Sequence, residues 1–401
     1  MSVVDKMKFY YFTNMGYNDI PADEEKYPST WVNYSNHQFD PKRGHAYYQR
    51  HLRLLSLAED LGFDGLAINE HHNTIFSMTP AVSVMGGALV ARTKRAKILV
   101  AGVPLNLCYP NRLAEEYAML DVLSEGRMEY AFPLGTGMEY WANAGAVNPT
   151  TARARFRESL DIVLQAWTQD GPTRYDGEFY SYRYLNPWPR PYQQPHPKIF
   201  VVGSGSRETV ELAVEYNAGY SVVFTPIESQ LRAFDYMREL AAQKGRTVDS
   251  DDLIVVVMAY VADSDEEALR DLRPYVERFY SWQHRVPPKF LLPPGYVSTP
   301  EFLRRVSDAA LSHGHNPSWE DMVAIMRIAC GSPDTVADTL VKWCEDAGCS
   351  RLNLIFELSD MPEWKVVRSA TLFADEVIPR IRARGVDARK PEDAGVAAAA
   401  R

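Results

Sequence analysis

Short apolar runs alternate with amphipathic stretches along nearly the whole chain. KFYYFT (8–13), GLAIN (65–69), AKILVAGVPL (96–105) and MEYAFPL (128–134) read as buried strands in the first half. KIFVVG (198–203), YSVVF (220–224), LIVVVMAYVA (253–262) and RLNLIF (351–356) supply the second half. Between them, AYYQRHLRLLSLAEDLG (46–62), RLAEEYAMLDVLS (112–124) and ARFRESLDIVLQAWTQ (154–169) repeat their apolar positions at helical spacing. About eight strand-then-helix units follow, the number that closes a parallel barrel, so the predicted fold class is α/β, a (β/α)8 or TIM barrel. Alternation alone also suits an open doubly wound sheet; length favours the barrel.

Three stretches rich in Pro, Gly, Tyr and Trp interrupt the alternation, near 14–45, 170–197 and 280–331. Insertions after barrel strands commonly build the pocket at the C-terminal face, which makes the first and third expected substrate walls. The aperiodic segment HRVPPKFLLPPGYVSTPEF (284–302) suits either a lid or an inert surface excursion. A single domain over 1–384 is expected, with 385–401 as a loosely held tail.

Composition narrows the partners. Among 401 residues, 46% are hydrophobic and 24% charged, an ordinary globular balance. A formal charge of −9 gives no basic face for nucleic acid, so a small-molecule ligand is the default expectation. There is no apolar run of about 18 residues to span a bilayer and no signal-peptide layout at MSVVDKMKFYYF, so no membrane partner and a cytoplasmic location are expected. Cys108, Cys330, Cys344 and Cys349 form no CxxC pair, which points to buried thiols rather than a metal site or a disulfide framework.

Three local signals carry chemistry. In LGFDGLAINEHH (61–72) a strand runs into Glu70, His71 and His72, at the end of the barrel where this architecture keeps its active sites. Neighbouring residues of an extended chain point apart, so the two histidines do not chelate one ion, and no catalytic metal is expected. A histidine titrating near neutrality suits proton transfer; the plainer reading is two histidines fixed by a structural carboxylate. In FVVGSGSRETVELAVEY (200–216) a strand, a Gly/Ser turn and a helix make an anion cradle from backbone N–H groups, Ser204, Ser206 and the helix N-terminus. Gly203 and Gly205 begin a dinucleotide fingerprint, but Glu208 replaces its third glycine, and a bare tight turn remains the alternative. In MEYAFPLGTGMEYWANAG (128–145) Gly135, Thr136 and Gly137 permit close approach to a flat ligand that Tyr140 or Trp141 would flank, although glycines here are as often turn residues.

In their order and spacing, GFDGLAINEHH (62–72), GVPLNLCYPNRLAEEYAMLDVLSEGR (102–127), VVGSGSRETVELA (201–213) and CGSPDTVADTLVKWCEDAG (330–348) resemble the luciferase-like, or bacterial-luciferase-type, flavin-dependent monooxygenases over most of residues 8–380. The resemblance implies a barrel that takes reduced FMN from a separate NAD(P)H:flavin reductase. It implies reaction with O2 to a flavin C4a-peroxide and oxygenation of a small organic substrate by hydroxylation, Baeyer–Villiger insertion or carbon–heteroatom cleavage. It makes His71 the catalytic base with Glu70 orienting its neighbours, and places Asn106 at the isoalloxazine edge. Gly203, Ser204, Gly205 and Ser206 would hold the FMN phosphate with Arg207 as charge partner, and Thr136 and Tyr140 would join the pocket. Glu115, Asp121 and Arg127 read as structural members of the motif. A homodimer is expected by the same likeness. Pro133 stands where bacterial luciferase has a reactive cysteine, so light emission is not implied. The aromatic insertion YPSTWVNY (27–34) suggests an apolar substrate. The alternatives are a deazaflavin-dependent dehydrogenase on the same barrel, a non-catalytic flavin-binding protein and, more distantly, a metal-dependent barrel hydrolase.

Overall fold

A strand covered on both faces has no polar side to show, and the nine residues of LIVVVMAYV are all buried in the computed structural model. The structure describes residues 2–18, 20, 29–135, 137–142, 148–223, 225–283, 286–287, 290, 295 and 318–387. The strands are β1 (Lys8–Thr13), β2 (Gly65–Ile68), β3 (Lys97–Ala101), β4 (Met128–Pro133), β5 (Thr173–Asp176), β6 (Ser181–Leu185), β7 (Ile199–Gly203), β8 (Gly219–Val222), β9 (Leu253–Val261), β10 (Ile328–Gly331) and β11 (Arg351–Ile355).

Eight of them, β1, β2, β3, β4, β7, β8, β9 and β11, pair in parallel and close on themselves, because β9 bonds to β8 on one side and to β11 on the other. Each matches one of the eight runs read as strands from the sequence, and the α/β barrel expectation holds. β10 is an addition: it pairs with the later half of β9, from Met258 to Val261, beyond the reach of β8.

The N-terminal end of the barrel is closed by charge rather than by apolar side chains. Arg351 of β11 forms two hydrogen bonds with Glu129 of β4, at 2.6 and 2.9 Å, and two more with Asp251, while the Tyr10 hydroxyl donates to Glu129 at 2.8 Å. Burial alone would raise the Asp251 carboxyl, but the Arg351 and Lys8 cations hold it well below the ordinary range. Asp121 and Arg127, read as structural, are tied into the scaffold: Asp121 accepts from the Gln193 backbone and side chain, and Arg127 donates to Thr93 and to the Ala96 carbonyl.

The insertions differ in character. Residues 170–197 hold the antiparallel hairpin β5–β6, whose tip is fixed by Glu158, a buried carboxylate accepting from the backbone N–H groups of Glu178, Phe179 and Tyr180. The first and third insertions meet at the other end of the barrel, where Tyr17, Ile20, Tyr47, Met78 and Trp282 form a second apolar cluster. Most of the stretch 284–302 lies outside the described residues, as does 388–401. The final helix, Ile378–Asp387, runs three residues past the expected domain end at 384. No helix among the described residues is long and apolar enough to cross a membrane.

Candidate active site

Strand β2 ends at Ile68, and the chain beyond it delivers four polar residues to the C-terminal rim of the barrel. The two histidines diverge, as extended neighbours must. His71 Nδ1 lies 2.8 Å from Glu139 Oε1, while His72 Nε2 lies 3.1 Å from Glu70 Oε1. Glu139 is buried and His71 nearly so, with 2% and 16% of their side-chain surfaces exposed. The imidazole of His71 is set edge-on against Trp31 and Phe76, with ring centroids 5.2 and 5.6 Å away, and those two rings stack on each other at 4.1 Å. Trp31 comes from the first insertion and Phe76 touches Phe279, at the margin of the third, at 6.0 Å. Of the two insertions expected to form walls, the first thus supplies Trp31 to the His71 ring.

Glu70 has a different employment from the one expected of a catalytic partner. Its Oε2 accepts from the Val82 N–H, the first residue of helix Val82–Arg92, at 3.2 Å, so its charge satisfies an otherwise unpaired helix terminus. Its Oε1 holds His72, and that hydrogen bond raises His72 above the ordinary histidine value against burial that lowers it. The carboxylate that meets His71 is Glu139, which sequence reasoning passed over. Its sole sequence signal was its place directly after the glycine turn 135–137.

Glu139 belongs to the short helix Gly137–Ala142, and the next residue of that helix reaches a second expected site residue. The Tyr140 hydroxyl accepts from Asn106 Nδ2 and donates to the Leu134 carbonyl at 2.7 Å. Asn106 itself is fully buried, and its Oδ1 has no hydrogen-bond partner among the described residues. An unpaired buried acceptor is costly, on the order of 1–3 kcal/mol, so an oxygen held in this way is suited to a ligand N–H. Thr136 lies outside the described residues. Burial pushes the nearby Cys108 thiol up to about 12, which keeps it protonated and unreactive at neutral pH.

The Gly/Ser turn follows β7 and opens helix Arg207–Glu215. Gly205 has φ +87°, a conformation that favours glycine. A Cβ on Gly203 would come within 2.5 Å of the Tyr220 hydroxyl and 2.6 Å of Thr209 Oγ1. Tyr220 forms the floor of the turn, accepting from the Gly205 N–H at 3.2 Å and sharing a hydrogen bond with Thr209 at 2.7 Å. Ser206 turns its hydroxyl to Thr209 and makes no side-chain cap to the first helical turn, the kind of helix N-terminus that can receive an anion; Ser204 is exposed. The expected charge partner Arg207 is drawn aside onto the ring of Tyr236, 4.8 Å from its centroid. In the first turn of this helix, Glu208 pairs with Arg153 at 2.6 Å.

These features fit a flavin mononucleotide. The turn and helix N-terminus suit its phosphate, and the orphaned Asn106 oxygen suits a ring N–H. Among the described residues, no three His, Cys, Asp or Glu side chains converge as a metal site.

A closed parallel barrel carries a buried histidine–carboxylate pair and a Gly/Ser turn on its C-terminal rim, and comparison gives the family. The family model described as luciferase-like monooxygenase matches residues 30–351, and the chain belongs to that family. It is 25% identical over 242 residues to the oxygenase component of flavin-dependent trigonelline monooxygenase from Acinetobacter baylyi, a match covering 59% of this chain and 66% of that relative, just under two thirds of its length. Among solved structures, it resembles the oxygenating constituent of 3,6-diketocamphane monooxygenase from Pseudomonas putida, a type II Baeyer–Villiger enzyme in complex with FMN. The TM-score is 0.70 and the identity 20%, over 94% of this chain and 99% of that one. An F420-dependent secondary alcohol dehydrogenase shares the fold with a TM-score of 0.65 and 16% identity, over 94% and 99% of the two chains.

Proposed function

We propose that this chain is the oxygenase component of a two-component monooxygenase: it receives reduced FMN from a separate NAD(P)H:flavin reductase and uses O2 to oxygenate a small apolar organic molecule. The observation that carries the reading is the buried His71–Glu139 pair set against Trp31 and Phe76, with the Asn106 oxygen and the glycine turn available for a flavin. Bound there, the flavin supplies the activation of oxygen; the rest falls to the protein.

With Glu139 accepting from Nδ1–H, the neutral imidazole keeps its Nε2 lone pair for a substrate proton. When that proton arrives, the Glu139 charge lies against the cation formed and stabilises it. Trp31 and Phe76 exclude water from the ring and offer an apolar surface to the substrate, which favours hydroxylation, Baeyer–Villiger insertion or carbon–heteroatom cleavage of a molecule with little charge. Ser204, Gly205, Ser206 and the first turn of Arg207–Glu215 would hold the phosphate, with Arg153 nearer to that task than Arg207.

The exposed side chains Val84, Met119 and Leu123 lie on helices Val82–Arg92 and Pro110–Leu123, and this apolar face supports a homodimer.

The test is anaerobic titration with reduced FMN, followed by mixing with oxygenated buffer while near-ultraviolet absorbance is followed. Tight binding and a long-lived oxygenated flavin band are expected. Binding of a 5-deazaflavin in place of FMN would overturn the oxygenase reading in favour of hydride transfer.

A further inference from the structure

The hairpin β5–β6 contributes nothing to the rim around His71, yet its tip is fixed by three backbone hydrogen bonds to the buried Glu158. The last of these, from the Tyr180 N–H at 2.7 Å, sets the position of one aromatic side chain. The Tyr180 hydroxyl donates to the Cys108 carbonyl at 3.2 Å and accepts from Arg155 Nη2 at 2.8 Å and Ser159 Oγ at 3.3 Å. Arg155 lies over the Tyr180 ring, 4.8 Å from its centroid, and donates through Nε to the Asn106 carbonyl at 3.2 Å. No carboxylate of the described residues pairs with it. A half-buried guanidinium is thus given over to the Asn106 carbonyl and the Tyr180 phenol, and that phenol in turn donates to the Cys108 carbonyl on the flank of the turn Leu105–Leu107.

That turn is one 3-10 turn long, secured within the backbone by the Leu107 N–H to the Pro104 carbonyl. A single such bond does not define a carbonyl direction, and short 3-10 turns are weakly held on their own. The two outside donors grip carbonyls two residues apart, at 106 and 108, on either side of Leu107. The side chain between the gripped backbone and the barrel interior is Asn106, whose Oδ1 is the orphaned buried acceptor.

We propose that Arg155 and Tyr180 are positioning residues: a preformed brace that holds the 105–108 turn, and with it the Asn106 Oδ1, in the shape that receives the flavin ring edge. The hairpin β5–β6 is the element that delivers Tyr180 to this brace. The proposal rests on the flavin reading in assigning Asn106 its ligand; the brace itself does not.

Two measurements on the full chain separate those layers. In the flavin-free protein, backbone hydrogen exchange is compared between wild type, Arg155→Met and Arg155→Lys. Arg155→Met is expected to speed exchange at the Leu107 amide, which is bonded to the Pro104 carbonyl, at least tenfold while leaving β2 and β9 unchanged, with Arg155→Lys between the two. Unchanged exchange at 107 in Arg155→Met overturns the brace, whatever the cofactor. The same proteins, with Tyr180→Phe, are then titrated with FMN, oxidised and reduced. Loss of the one hydrogen bond that Arg155 makes to the turn itself, at the Asn106 carbonyl, predicts about 10- to 100-fold weaker binding for Arg155→Met, with the bound flavin's visible bands moved toward those of free flavin and partial rescue by Arg155→Lys. Faster exchange with unaltered affinity and spectrum overturns the positioning role. Failure of wild type to bind FMN overturns the function proposed above, and the exchange result still decides the brace.

Discussion

Replacing Glu139 by Gln retains the size of the side chain and one oxygen, and removes the charge that faces His71. In wild type, the carboxylate accepts from Nδ1–H and is almost fully shielded from water, at 2.8 Å from the ring. A hydrogen bond to a charged group is worth roughly 1.5–3 kcal/mol. Since about 1.4 kcal/mol corresponds to a factor of ten in rate, removing a bond that is made to the protonated ring should lower kcat/KM by about 10- to 150-fold. A Gln amide can also turn its NH2 toward Nδ1, which would select the tautomer with Nε2 already protonated and take the reaction toward the 100-fold end or beyond, as for loss of a general base. The assay is substrate-dependent oxygen uptake in excess of hydrogen peroxide release, with reduced FMN supplied by any flavin reductase and a substrate found by screening small ketones, aldehydes and aromatic compounds. FMN affinity should stay within about threefold, because the Asn106 side chain is held by Tyr140 rather than by Glu139. The reasoning is refuted if Glu139→Gln keeps kcat/KM within about threefold of wild type, or if its loss is matched by an equal loss of FMN affinity.

Three further outcomes follow from other parts of the molecule. Gly203→Ala places a methyl group within 2.6 Å of Tyr220 and Thr209 oxygens, so it should displace the floor of the turn and weaken FMN binding at least tenfold in a fluorescence titration, with β2 and His71 unaffected. Glu129→Ala leaves Arg351 buried without its bidentate partner and should cost about 3–5 kcal/mol in urea unfolding, whereas a loss below about 1 kcal/mol would show that the plug is dispensable. Asp251, held below the ordinary carboxylate range by Arg351 and Lys8, contributes stability that is complete above its unfolded value near 4. That contribution is lost as pH falls from there through the depressed folded value, so acid unfolding should begin below about pH 4 and be blunted in Asp251→Asn.

The barrel was legible because its strands are buried on both faces: nine consecutive buried residues in β9 leave no other reading of LIVVVMAYV. β10 escaped because four residues, IACG, carry no period and sit beside an insertion. The hairpin escaped because TRYD and SYRYL show their side chains largely to solvent, so no apolar run marks them. At the site, the strand, Gly/Ser turn and helix order around 203–206 was legible because the backbone itself makes that feature. Sequence adjacency misled where a side chain chooses among distant partners. Arg207 is next to the turn yet lies on Tyr236 of a later helix, and Glu70 is next to His71 yet caps helix Val82–Arg92. Glu139 meets His71 only because β2 and β4 finish at the same rim, a fact of three dimensions that no local spacing records.

Helix Gly137–Ala142 ties His71 and Asn106 into one mechanical unit, since Glu139 meets His71 and Tyr140 accepts from Asn106. The aromatic wall has a separate origin, in Trp31 of one insertion and Phe279 at the edge of another, outside the strands and outside that helix. Descendants of this protein are therefore free to drift in what they recognise while what they do to it stays fixed. A lineage can change its diet through the insertions at little risk, whereas a change that displaces the helix as a whole would shift His71 and Asn106 together. Laboratory evolution for new substrates should accumulate its changes accordingly, around positions 31 and 279 and away from 137–142.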